Sequence, residues 1–192
     1  MKTTKIILGT AFCIAFFLSA CKKETKTEEP AATAPTLYER VGGTKMVADP
    51  NQPSVMIETG RLTLRAVVDS AILVIAGDAR LAKFFPVLFA ELGAGNSTGL
   101  MALSKNFTDF LCLATGCKNS AYAYTGKSMK DAHNPATHNR MGVKANAAEF
   151  DIFVGDIGIG LAKNGVTAAN NKQLVDDLVA LLYTTKADIV QN

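Results

Sequence analysis

Only two histidines occur in the 192-residue chain, His133 and His138, and both lie in the stretch YTGKSMKDAHNPATHNRMGV, residues 124–143. An imidazole is a common metal ligand and a proton carrier near neutral pH. Met129 stands four residues before His133, on the same face if the segment is helical. Pro135 disfavours helix at Asn134. His133 is therefore expected in a last helical turn, where its ring can point at a metal. His138 follows the break, in a run of Asn, Thr and Pro that turns more readily than it ligates. His133 is the favoured ligand and His138 the alternative. Five residues reach at most ~18 Å, and a proline-broken turn far less. The two rings therefore cannot grip opposite faces of one flat ligand.

The four cysteines divide by position. Cys13 and Cys21 sit near the N-terminus, and Cys112 and Cys117 sit in the body of the chain. C-x4-C lacks the partners of a zinc site. Beyond the cytoplasm Cys112 and Cys117 could close a disulfide across a helix end at Thr115-Gly116; equally, Cys112 could be a small core residue. No G-x-S-x-G run and no histidine near a nucleophile motif suggests a hydrolase.

The N-terminus reads as an address. MKTTK is basic, the apolar run IILGTAFCIAFFL is too short to span a bilayer, and LSAC at 18–21 resembles a lipobox. Residues 1–20 are expected to be a lipoprotein signal peptide and Cys21 the lipidated first residue of the mature chain. Lys22, in place of an aspartate, favours the outer membrane within the cell envelope. Residues 21–36 then form a flexible tether, charged and rich in Pro, Ala and Thr.

The chain carries 20 basic and 17 acidic residues, and without Lys2 and Lys5 the balance is 18 to 17. Such a balance gives no reason to expect nucleic acid as a partner. With 48% apolar and 19% charged residues the chain can bury a core. From residue 37 onward the apolar spacing is helical. Leu64, Val67, Val68, Ala71, Ile72, Val74 and Ile75 form one face, and Leu100, Leu103, Phe107, Phe110 and Leu111 a second. Phe150, Phe153, Val154, Ile157 and Leu161 form a third, preceded by an Asn146/Glu149 cap; Leu174, Val175, Leu178, Val179 and Leu182 form a fourth. Breakers at 93–99, 115–120, 133–139 and 163–166 separate them. No alternating strand pattern stands out, so the class is all-α.

TLYERVGG at 36–43, RAVVD at 65–69, DARLAKFF at 78–85, FLCLATG at 110–116 and YTGKSMKDAH at 124–133 stand in the order of the landmarks of a truncated haemoglobin. Residues 37–192 resemble that family, and its first group most. The resemblance implies a two-over-two helical sandwich holding haem b, with a histidine ending a short helix as the iron ligand. Three segments depart from the pattern: 44–60, 86–99 and the histidine segment itself are longer. Counted from the left, M-x-x-x-H names His133; counted from the right, H-x-x-M-G names His138. The register sets Met129 and Tyr124 near the haem and Phe85 as its aromatic wall. It places Ile72 where the family commonly has tyrosine. Phe107, with Leu103 a turn earlier, falls where glutamine is frequent. Dioxygen would then lack its usual hydrogen-bond donors. No C-x-x-C-H run offers covalent haem attachment.

The expected function is haem-based binding of a diatomic gas, oxygen or nitric oxide, on a lipid anchor. The alternatives are haem capture and a haem-less globin-shaped interaction module. With no reductase domain, redox turnover would need an external donor, so the chain reads as a binding protein more than an enzyme.

Overall fold

The computed structural model describes residues 34–192. The segments assigned to a signal peptide, to Cys21 and to most of the tether lie outside the described residues. Among those described, no helix is long and apolar enough to cross a membrane.

Four long helices form where the apolar periodicity places them: α2 (Thr59–Gly77), α4 (Thr98–Thr115), α6 (Ala147–Lys163) and α7 (Ala168–Tyr183). Short helices α1 (Leu37–Arg40), α3 (Pro86–Gly93), α5 (Met129–Ala132) and α8 (Lys186–Ile189) connect or terminate them. Helix α2 pairs with α4 in one layer, α6 pairs with α7 in the other, and α2 lies against α6. This is a two-over-two helical sandwich. Its core is built from Leu64, Val68, Ala71 and Ile75 on α2, Phe150, Val154 and Ile157 on α6, and Leu174, Leu178 and Leu182 on α7. Full burial of each such large aliphatic or aromatic side chain is worth about 1.5–3 kcal/mol.

The helix ends follow local chemistry. The Asn146 side chain accepts from the Glu149 amide, and the Glu149 carboxylate accepts from the Asn146 amide, closing the expected capping box of α6. Helix α4 stops at Gly116, whose φ of 99° is left-handed; the Cys117 amide then donates back to the Cys112 carbonyl at 2.9 Å. That turn brings Cys112 and Cys117 close in the chain, but both are free thiols. Cys112 is fully buried, and burial pushes its thiol up to about 11. It is a core residue, as one of the two sequence readings had it.

The 44–60 segment adds an element that helical periodicity does not announce. Strands β1 (Met46–Asp49) and β2 (Gln52–Glu58) pair antiparallel as a hairpin. Two polar anchors fix the hairpin to the helices. The Arg65 guanidinium grips Asp49 with two bonds of 2.7 and 2.8 Å and lowers its carboxyl to about 2. Glu58 accepts from the Tyr38 hydroxyl and the Asn119 amide, each at 2.6 Å. The last turns of the chain fasten the histidine segment: α8 packs on α5, and the Gln191 side chain donates to the Lys130 carbonyl at 2.7 Å.

Candidate haem cavity

A cavity of about 520 Å³ lies between α2, α4, α6 and the histidine segment, within the range of small-molecule and cofactor sites. All eight residues singled out from the sequence border it: Ile72, Phe85, Leu103, Phe107, Tyr124, Met129, His133 and His138. They come from five separate stretches of chain, so the cavity exists only in the folded state. It also explains an oddity of α4. Leu100, Leu103, Phe107 and Phe110 form a clean apolar stripe yet are only partly buried. Leu103, Phe107 and Phe110 of this stripe line the cavity wall.

The proximal wall is positioned by local hydrogen bonds. Ser128 caps α5 by accepting from the Asp131 amide. Helix α5 ends at Ala132, and His133 leaves helical geometry with φ −107° and ψ 15°. Its ring turns back, with Nδ1 2.8 Å from the Met129 carbonyl. A carbonyl can only accept, so Nδ1 carries the hydrogen and Nε2 keeps its lone pair. Beyond the break the chain makes another turn, the His138 amide donating to the Asn134 carbonyl at 2.8 Å. This turn carries His138 back to the same wall. Its Nδ1 lies 2.8 Å from the Ala132 carbonyl, again leaving Nε2 as the free nitrogen. The sequence reading had placed His138 in a turn beyond the ligand. The turn is there, and it returns the ring to the cavity.

Burial holds His133 below the usual imidazole value, the Met129 carbonyl opposes that, and nearby His138 adds to it. A neutral imidazole with a carbonyl on Nδ1 is the form that coordinates a metal. Among the described residues, no group of three or more His, Cys, Asp or Glu could hold a bare metal ion. One imidazole suits a metal that brings its other ligands with it. The largely apolar cavity lining fits such a group.

The remaining wall is aromatic and aliphatic. Tyr124 sets its ring edge-on to Phe110, with centroids 5.9 Å apart at 77°, and donates its hydroxyl to the Lys127 carbonyl at 2.6 Å. Phe107 leans on Phe153, 6.1 Å between centroids. Ile72 is buried, and no polar atom replaces it on α2. Sequence reasoning did not assign to the site the polar wall residues Asn106, Thr125, Lys127, Arg140, Glu149 and Thr185. Asn106 immediately precedes Phe107 on α4, and its exposed side chain reaches the rim. Arg140 follows the second histidine by two residues; nothing in its spacing marks it.

No protein-family model matches the sequence, and no curated protein matches it. Solved structures do match. A crystal structure of truncated haemoglobin from Tetrahymena pyriformis, a tyrosine-to-phenylalanine variant in the Fe(III) form, is 23% identical with a TM-score of 0.55. The match covers 82% of this chain and all of that one. A glutamine-to-glutamate variant of the same protein, also Fe(III), gives 22% identity and a TM-score of 0.54 over the same shares. The chain thus has the truncated-globin fold.

The state of His133 predicts a pH dependence. An unfolded histidine titrates near 6.5, and the folded chain binds that proton less readily. The unfolded state then holds more protons, so stability is complete above about pH 6.5 and falls as the pH drops below it. Urea unfolding of the chain without added ligand, over pH 5–7.5, should show this limb, and His133→Ala should flatten it. An unchanged slope in the variant would mean that His133 does not titrate as a buried neutral group.

Proposed function

We propose that this chain is a haem-binding globin that takes a diatomic gas, with His133 as the protein ligand of the iron. The supporting observation is the pairing of a truncated-globin fold with an apolar cavity whose wall presents a neutral, carbonyl-anchored imidazole. Haem b, when bound, would supply an iron able to take the His133 imidazole and a gas such as oxygen or nitric oxide. The chain's own residues orient the imidazole through Met129, exclude water with Phe85, Leu103 and Phe107, and flank the site with Met129 and Tyr124. We place His133 ahead of His138 because it ends the short helix α5 and shares its face with Met129.

The gas side is apolar at Ile72, Leu103 and Phe107, which favours ligands with little charge separation. Among the described residues, Asn106 is the one side-chain amide that lines the cavity. The proposal extends to the cell envelope: Cys21 carries the lipid, and residues 21–36 tether residues 37–192 to the membrane. The lipobox-like LSAC supports that part.

Three measurements test this reading. Absorption spectra after haem addition should show that His133→Ala abolishes or severely weakens haem binding, while His138→Ala stays close to the unaltered chain. Imidazole should partly restore the His133→Ala spectrum. The reverse dependence would move the ligand to His138, and normal haem uptake by the double variant would support the haem-less alternative. For the gas side, dioxygen should leave the haem-loaded chain at least about tenfold faster than it leaves an Ile72→Tyr variant, since a hydrogen bond to a strongly polarised acceptor is worth about 1.5–3 kcal/mol. Equal rates would show that another group, Asn106 first, already donates. For the anchor, Cys21→Ser should leave the membrane fraction when cells are fractionated; a variant that stays there would end the lipoprotein proposal.

A further inference from the structure

The two segments that lengthen the chain around the cavity, 86–99 and 134–142, meet each other. Arg140 donates from both terminal nitrogens to the two carboxylate oxygens of Glu91, at 2.8 and 2.6 Å. This is the fork-on-fork geometry that gives an Arg–carboxylate pair its direction. The pair lies over Gly99 at the start of α4, where a Cβ would collide with both the carboxylate and the guanidinium. One bond thereby ties α3, α4 and the histidine segment together at one edge of the cavity. Arg140 and Gly99 are themselves wall residues.

The two ends of this strap are held differently. At Gly142 the chain is pinned: its amide donates to the Phe84 carbonyl at 3.2 Å, and a Cβ there would run into the Lys83 carbonyl and the Pro86 ring. At Arg140 it is held by partly exposed charges, with side-chain exposures of 37% and 23%. Helix α3, which carries Glu91, buries only Leu88. An element with so few buried contacts is the one that opens at least cost. Its inward residues, Leu88 and Phe89, are cavity wall. Moving α3 away from the histidine segment would therefore uncover the cavity along its length.

We infer that the Glu91–Arg140 pair is the latch of the cavity entrance, and that a bulky flat ligand enters and leaves between α3 and residues 134–142. That the ligand is haem depends on the function proposed above; the latch does not. Glu91→Gln, Arg140→Gln and Gly99→Ala should each release the latch, the last without changing charge. The exchanged pair Glu91→Arg with Arg140→Glu should restore it. Loss of haem from the ferric loaded chain to an excess of a haem-scavenging apoprotein should quicken about two- to fivefold in each single variant, as expected for a partly exposed ion pair. Salt at 0.5 M should quicken the unaltered chain but not Glu91→Gln. Asp176→Asn, which breaks the remote Lys172–Asp176 pair on α7, should leave the rate alone. Hydrogen exchange of the chain without haem supplies the second readout. Glu91→Gln should raise exchange in 86–99 and 134–142 together and spare α6 and α7. Unchanged rates and unchanged exchange in Glu91→Gln and Gly99→Ala would overturn the latch. Coupled exchange in a chain that takes up no haem would uphold the latch and overturn the haem reading.

Discussion

The closest approach of α2 and α6 sets the geometry of the sandwich. A Cβ on Gly160 would stand 2.9 Å from the Cβ of Ala71 and 3.0 Å from its Cα and backbone nitrogen. The two helices therefore touch backbone to backbone, with Ala71 wholly buried between them. Contact this close fixes where the layers cross, because a packed core resists adjustment by even a methylene. From that crossing α2 turns Ile72 and Ile75 toward the open side, and α6 does the same with Phe150 and Phe153. Helix α4 packs on α2 further along and presents Leu103, Phe107 and Phe110 across the gap. The cavity is the space left between helices whose spacing is set elsewhere.

Leaving such a space has a thermodynamic cost. Apolar walls that face a void lose dispersion contacts, and cavity formation destabilises by about 24 cal/mol per Å³ in a well-studied series. A chain selected only for stability would fill the space with its own side chains. Here the unfilled stripe of α4 borders the same cavity as two oriented imidazoles. Local departures from good packing concentrate at functional sites. Glu58 is the contrasting case: its buried carboxylate is fully engaged by Tyr38 and Asn119, away from the cavity, and anchors the hairpin to the helices.

Much of this was legible in the sequence because it is periodic or local. The four apolar faces, the Asn146/Glu149 box, and the breaks at 93–99, 115–120 and 163–166 each depend on residues a few positions apart. The stretch AILVIA at 71–76 is β-branched yet helical, since the period of the longer face outweighs the propensity of six residues. The hairpin was not legible. Strand β2 exposes its first five residues on both faces, so no alternation marks it, and Pro53 argues against a central strand. The wall residues taken from the helical registers do border one cavity. What the sequence could not show was contact between remote segments: Glu91 with Arg140, 49 residues apart, has no local signature.

The two histidines illustrate the same division. Their separation rules out one flat ligand gripped from both faces, and the structure puts both rings on a single wall, each with Nδ1 on a carbonyl. What differs is the backbone that carries them. His133 is fixed by the end of α5, which is capped by Ser128 and backed by α8 and by Gln191 beyond it. His138 is fixed by a turn closed on Asn134, and its Nδ1, 2.8 Å from the Ala132 carbonyl, ties the ring to the end of α5 as well. Both rings are therefore referred to the same helix end, His133 directly and His138 across one hydrogen bond. His133 borders the same cavity as Phe107 and Ile72, and because both imidazoles are bonded to carbonyls of α5, loss of the Arg140 ion pair would leave both of those bonds in place.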